Sequence, residues 1–314
     1  MAKKENSKKP VLIVSITVLS IVIFVIVFIG LLFTLSLART FSGPSEGRGN
    51  VAHIKVEGII TTAAQRDLFS QEIGASSDRI VEFIRRADAD RSISGIILEI
   101  NSPGGSGVAS DEIARALRNV DKPTVAYIRE VGASGAYWIA SSSDHILANR
   151  LSTVGSIGVI ASYLEFSGFL ERYNISYQRF IAGEKKDFGS PFREPTPAET
   201  AQFQAQLEEL HNIFIEEVAA GRGLDAEYIR SIADGSFVTG NAALELGLID
   251  GFGGYDEAVL YMQEVLGRNI TVVNYRQPRG FLQSLSGYIQ KAMYSVGQGM
   301  TTNLFPTQRL VINT

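Results

Sequence analysis

The sequence predicts an α/β domain with parallel strands, carried behind one membrane-spanning helix. Three observations point there. Val11 to Ala38 is an apolar run without a charged side chain. From Val51 onward, strand-like and helix-like segments alternate through short turns. Strands such as Pro123–Ile128 are apolar enough to be buried on both faces.

The apolar run is the first element. As a helix it reaches about 40 Å, more than the roughly 30 Å hydrocarbon core, so tilt or an overhanging end follows. A soluble core helix of that length would need a polar face, and none is visible. A cleavable signal peptide expects an apolar core of about 7–15 residues and a small-x-small cut site. Here the core is longer, and Leu35-Ser36-Leu37-Ala38 is a poor site. Residues 11–38 are therefore expected to be an uncleaved anchor in the cell membrane. Lys3, Lys4, Lys8 and Lys9 precede it, whereas only Arg39 and Arg48 follow closely. The positive-inside bias keeps residues 1–10 in the cytoplasm and sends the rest outside. Residues 39–50, rich in Gly and Ser with Pro44, read as a flexible tether to an extracytoplasmic domain at 51–314.

Within that domain, Val51–Ile60 and Ile93–Ile100 read as strands with the helix-like Asp78–Ala87 between them. The turn Asn101-Ser102-Pro103-Gly104-Gly105 leads to a helix from Ser110 to Val120, then the strand Pro123–Ile128. A Gly-rich corner opens the helix-like Ser134–Ser142, and His145–Ala148 is a further short strand. A long helix from Pro197 to about Ala220 spaces Phe203, Leu207, Leu210, Ile213, Phe214 and Val218 as one buried stripe, against the core or another subunit. The late stripe Phe281, Leu282, Leu285, Ile289, Met293 and Val296 is also helix-periodic and fits packing on its own domain better than contact with membrane or neighbour.

Composition removes several classes of function. The net charge of −4 argues against a broad nucleic-acid surface. With no cysteine there is no disulfide, thiolate metal site or cysteine nucleophile. Three histidines make a histidine-rich metal site unfavourable. Neither a Walker pattern nor Gly-x-Gly-x-x-Gly is present, so no cofactor is expected.

The chemistry gathers around Ser134. In Val131-Gly132-Ala133-Ser134-Gly135-Ala136-Tyr137-Trp138 a serine sits among small residues just after a strand. Small neighbours let the chain turn sharply and a substrate approach, and free amides at a helix start favour a tetrahedral oxyanion. A helix N-cap serine is the commoner fate of such a residue. The second Gly-rich turn, Asn101 to Ser106, suits an oxyanion hole completed by Gly135, with phosphate binding as the competing use. A serine nucleophile needs a base. His53 lies in a strand, His145 just past the helix that Ser134 starts, and His211 in the long helix, contexts that fit badly. Lysine is the alternative, provided its amine is neutral. Ser-x-x-Lys does not occur. Beyond the anchor stand Lys55, Lys122, Lys185, Lys186 and Lys291, and residue type alone makes Lys185 and Lys186 two solvated loop lysines. Spacing does not choose among them.

Five blocks, in order, resemble the signal peptide peptidase A family of membrane proteases. They are Asn101-Ser102-Pro103-Gly104-Gly105, Ala133-Ser134-Gly135-Ala136-Tyr137, Thr153-Val154-Gly155-Ser156-Ile157-Gly158-Val159, Gly183 with Lys186-Asp187 and Arg193-Glu194, and Thr239-Gly240 with Ala243 and Gly247-Leu248-Ile249-Asp250. The resemblance runs from about residue 50 to 265 and is closer to the short, single-repeat members. It implies a layered Clp-protease/crotonase-like fold, Ser134 as nucleophile, and Lys186 rather than Lys185 as general base. It further implies Ser156 as the residue orienting the lysine, and Gly105, Gly104 and Gly135 as oxyanion donors. The activity implied is serine endopeptidase cleavage of remnant signal peptides and other hydrophobic peptides, in a closed homo-oligomer. The doubled Lys185-Lys186 departs from the family pattern. Two rivals share the fold: an NfeD-associated, stomatin-cleaving protease, and an inactive crotonase-like scaffold that binds peptides or lipids.

Overall fold

In the computed structural model, residues 19–21, 23–31, 34, 49–66 and 72–276 are described. The chain separates into two units, residues 47–276 and residues 1–46 with 277–314. Of the apolar run, the described residues 19–21, 23–31 and 34 are helical and exposed. Among the described residues no helix is long and apolar enough to cross a membrane. Much of the expected anchor at 11–38, and all of the stripe from Phe281 to Val296, lie outside them.

Residues 47–276 form a mixed α/β domain. Its strands are β1 (Val51–Glu57), β2 (Ile60–Thr61), β3 (Gln65–Arg66), β4 (Glu72–Ile73), β5 (Ala75–Ser76), β6 (Ile96–Ser102), β7 (Thr124–Ala133), β8 (His145–Ala148), β9 (Thr153–Gly155), β10 (Phe237–Thr239), β11 (Gly251–Phe252) and β12 (Val272–Tyr275). Its helices are α1 (Ser77–Ala89), α2 (Gly107–Arg118), α3 (Gly135–Ala140), α4 (Ser167–Arg172), α5 (Pro197–Arg222), α6 (Ala226–Ile232), α7 (Gly240–Glu245) and α8 (Tyr255–Leu266). The main sheet runs β10-β9-β7-β6-β1-β12, with β8 on β7 and β11 on β8. All of its pairings are parallel except β9–β10. The parallel α/β expectation therefore holds.

One strand organises the site. The first half of β7 pairs with β8 through Val125–Ile128, and the second half pairs with β9 through Val131–Ala133. Between them Arg129 and Glu130 are exposed, and the opposite strand shifts register between Ile100 and Ser102. A sheet that changes partner along one strand opens a crevice at the strand's carboxyl end, where α/β proteins place their ligands. Ser134 follows that end directly. A large apolar cluster packs α1, α2, α3 and the end of α5 on one face, and a smaller one seats α8 on the other.

Some sequence expectations need adjustment. The strand read over Val51–Ile60 breaks at Gly58, whose φ of 79° leaves the extended region. β7 continues five residues past Ile128, because β9 supplies a new edge after β8 ends. The stripe on α5 is a larger correction. Only Phe214, Ile215, Val218 and Ala219 are buried, and Leu210 and Ile213 are exposed. The helix is nevertheless well built, with a Thr196–Glu199 capping box, Pro197 at its start and Gly223 in the left-handed region at its end. Local signals thus carry it past the edge of the domain core.

Candidate active site

Ser134 joins β7 to α3 with φ 53° and ψ −128°. A non-glycine residue with positive φ is uncommon and costs of order 1–3 kcal/mol, so surrounding bonds must hold it. Its N–H donates to the Gly155 carbonyl at 2.7 Å, while its own carbonyl accepts from Tyr137 and Trp138. Gly132, Ala133 and Gly135 are buried, yet Ser134 keeps partial exposure. The strained corner leaves a partly exposed serine between buried neighbours.

The Gly-rich turn lies against it. Gly104 has φ 98°, and a Cβ there would stand 2.9 Å from Ser134 Cβ and 2.8 Å from Gly135 N. Its own N–H donates to Ser102 Oγ at 3.0 Å. Gly104 thus allows close approach while its donor is already used. Gly105 is pinned to β2, since Ile60 N–H donates to the Gly104 carbonyl and Ser106 N–H to the Ile60 carbonyl, both at 2.9 Å. Among the described residues, neither the Gly105 nor the Gly135 N–H has an acceptor. The Gly105 nitrogen is 3.6 Å from where a Gly135 Cβ would sit, so the two donors are neighbours beside Ser134. Gly135 is buried, where backbone donors are almost always paired, whereas Gly105 is exposed. Two open donors beside the Ser134 hydroxyl can receive a carbonyl oxygen as it becomes an oxyanion.

Ser156 extends β9 alongside. Ala133 pairs with Gly155, which places Ser134 and Ser156 next to each other with φ values of 53° and 51°. The Ser156 hydroxyl donates to the Gly235 carbonyl at 3.2 Å. The structure therefore brings together Ser134, Ser156, Gly104, Gly105 and Gly135.

Lys186 lies in an exposed loop. Its loop docks on the outer part of α5, through Lys185 Nζ to Gln202 Oε1 at 2.8 Å and Phe188 stacked on Phe203 at 4.1 Å. The inner part of α5 meets α3 through Phe214 stacked on Trp138 at 5.0 Å. Phe203 and Phe214 are about 16 Å apart along the axis at about 1.5 Å per residue. Lys186 is exposed, and among the described residues neither its amine nor the Ser134 hydroxyl has a hydrogen-bond partner.

The histidines have other occupations. His53 is buried between Asn274 Oδ1 at 2.7 Å and the Glu99–Tyr127 pair, and burial lowers its pKa. His145 stacks on Tyr261 at 3.9 Å, and His211 Nε2 meets the Ile157 carbonyl at 3.1 Å. Among the described residues no group of three or more His, Cys, Asp or Glu could hold a metal ion. Sequence reasoning missed Ser102, which occupies the Gly104 amide, and Ser110, whose Oγ fills the space a Gly135 side chain would need. Small polar residues in helices and turns carry no distinguishing signal.

Comparison with known proteins follows the same lines. The profile of peptidase family S49 matches residues 116–269, which includes Ser134, Ser156 and Lys186. A protein of Enterococcus faecium named "Putative signal peptide peptidase SppA" is 32% identical over 249 residues, 77% of this chain and 72% of that one. Protease 4 of Haemophilus influenzae is 30% identical over 69% of this chain and 35% of its own length. A solved membrane-bound stomatin-specific protease covers 74% of this chain and 100% of its own, at 18% identity and a TM-score of 0.46. With 32% identity to the Enterococcus faecium protein over 72% of its length, and a strained serine set at the mouth of a parallel sheet, the chain belongs to peptidase family S49, the signal peptide peptidase A family of serine-type peptidases.

Proposed function

We propose that this chain is a membrane-anchored serine endopeptidase with Ser134 as nucleophile and Lys186 as general base. The domain is read as the layered Clp-protease/crotonase type. The carrying observation is the pair of open amides, Gly105 and Gly135, beside a strained and partly exposed Ser134. In this reading a neutral Lys186 amine takes the Ser134 proton as Oγ attacks the scissile carbonyl. The two amides hold the resulting oxyanion. The lysine then gives its proton to the leaving peptide nitrogen, and water releases the acyl-enzyme.

An amine in open water keeps its proton at neutral pH, so a base of this kind needs cover. The segment before Lys186 supports a source for that cover. Ile160 and Phe180 are 86% and 92% exposed, with Leu164, Phe169, Tyr173 and Ile175 also open. Monomeric proteins rarely leave so much apolar surface contiguous. A closed homo-oligomer would bury it and would carry Lys186 of one protomer towards Ser134 of the next, where Ser156 can turn from Gly235 to the amine. Substrates are read as peptides with apolar or small side chains at the cut, above all signal peptides left in the membrane after export. The 11–38 anchor would hold the site at the outer membrane surface.

Peptide hydrolysis by the full-length protein in detergent tests the dyad. Ser134→Ala and Lys186→Ala should each lose at least about a thousandfold in kcat/KM, and a fluorophosphonate probe should label Ser134. Activity in wild-type protein should climb with pH into the mildly alkaline range. Substantial hydrolysis by either variant removes the assignment.

A further inference from the structure

Asp187 directly follows Lys186, and a free carboxylate there would be the nearest partner for a lysine ammonium. It is not free. Arg179 clasps it with Nε to Oδ2 at 2.6 Å and Nη2 to Oδ1 at 2.9 Å. Arg193 adds Nε to Oδ2 at 2.8 Å. The other edge of Arg193 grips Glu199, with Nη1 to Oε2 at 2.8 Å and Nη2 to Oε1 at 2.5 Å. Its remaining donors reach the carbonyls of Glu194 at 3.1 Å and Asp187 at 3.3 Å. All five N–H groups of the guanidinium are engaged. The Asp187 side chain is 9% exposed as a result.

The clamp is anchored as well as saturated. Glu199 belongs to the capping box of α5, accepting from the Thr196 N–H at 2.8 Å. Arg193 therefore ties the lysine loop to a helix end. The other charges facing this loop are accounted for too. Lys185 is held by Gln202, and Glu184 and Glu194 are exposed to solvent. The Lys186 amine is left without a side-chain partner among the described residues.

We propose that Arg193, assisted by Arg179, is a positioning residue of the peptidase reaction that sequesters the Asp187 carboxylate and so keeps Lys186 unpaired and able to release its proton. This inference rests on the reading of Lys186 as base. A carboxylate at ion-pair distance favours the charged form of a lysine by about 1–3 pH units. Removing the Arg193 clamp leaves Arg179 as the one guanidinium on Asp187, so part of the carboxylate's charge is released one residue from the amine and Glu199 loosens with it. The amine then holds its proton to higher pH, and the acidic limb of the activity profile moves towards alkaline.

The test is the pH dependence of kcat/KM for the full-length assembled protein, with assembly checked by size-exclusion chromatography. Arg193→Gln should move the acidic limb by at least about one pH unit towards alkaline, with KM nearly unchanged. Arg193→Lys, which keeps the charge, should move it less. The double variant Arg193→Gln with Asp187→Asn should bring the limb back, because the released anion is gone. An unmoved limb in Arg193→Gln, or a limb still displaced in the double variant, overturns the proposal. Where Arg193→Gln does not assemble, Asp187→Asn alone decides: a limb at or below the wild-type position supports the proposal, and an alkaline shift overturns it. Full activity in Lys186→Ala would overturn the base assignment itself, an outcome distinct from an unmoved limb in a lysine-dependent enzyme.

Discussion

Gly104 and Gly105 show how a single hydrogen in place of a side chain decides the site. A methyl at Gly105 would stand 2.1 Å from the Ile60 carbonyl oxygen, which belongs to a backbone bridge and cannot rotate away. At Gly104 the methyl would meet Ser134 Cβ and two backbone atoms within 2.9 Å, on top of a φ of 98°. Gly105→Ala and Gly104→Ala should therefore each displace the turn and cut kcat by at least about a hundredfold, the scale of losing one oxyanion donor. Activity assays paired with circular dichroism would check this. Gly104→Ala should act by displacing Ser134, since its own donor already goes to Ser102. A residue-scale pH effect comes from Glu99 on β6. Burial would raise its pKa, but hydrogen bonds from Tyr127, Lys55 and Arg129 outweigh it and bring the value down to about 2. A depressed carboxylate stabilises the fold above its unfolded value of about 4.3. That contribution fades as pH falls through the window from there to about 2. The buried neutral His53 adds to acid sensitivity from about 6.5 downward, because the unfolded chain binds its proton first. Glu99→Gln should flatten the acid side of a melting-temperature profile taken from pH 7 to 3.

At the scale of elements, β7 and α5 carry the site between them. β7 delivers Ser134 because it exchanges β8 for β9 midway. α5 spans from the lysine loop to the nucleophile helix. At its inner end Arg222 donates to the Gly247 carbonyl at 3.0 Å and to Asp250 Oδ1 at 2.6 Å. The same loop presents the Leu248 carbonyl to the Tyr137 hydroxyl at 2.7 Å, one turn into α3. Asp250 also accepts from the Ile146 N–H at 2.7 Å. The late block Gly247-Leu248-Ile249-Asp250 is thus a clasp between α5, β8 and the nucleophile helix. Arg222→Ala would strip the guanidinium from a partly exposed carboxylate and a half-buried carbonyl, costing about 2 kcal/mol. Thermal unfolding should show a drop of several degrees. Tyr137→Phe should lose about 1 kcal/mol, the usual worth of one buried bond.

For the whole molecule, the apolar segment before Lys186 is an exposed apolar stretch of the 47–276 domain, with Ile160 and Phe180 its most open side chains. The domain core is complete without it, and in the proposed homo-oligomer its exposed rings meet another copy. Phe180→Glu combined with Ile160→Glu should abolish association in light scattering. Because the dyad is read as shared between protomers, the same variant should lose hydrolysis while keeping the melting transition of the domain. Hydrolysis by a demonstrated monomer would contradict the shared site.

The parallel α/β class, the helix boundaries near caps and prolines, and the serine flanked by small residues were all readable along the chain, because each is written in neighbouring residues. His145–Ala148 was legible as a strand for the same reason, and so was the start of α5 at Pro197. Tertiary structure decided what depends on residues far apart. Only folding could pair β7 with β9 and force Ser134 and Ser156 side by side into positive φ. Only folding could spend the Gly104 amide on Ser102 while leaving those of Gly105 and Gly135 open. The α5 stripe shows the limit most clearly: its periodicity marks a face made to be covered, but what lies over a helix is settled by contacts across space, which local spacing does not encode.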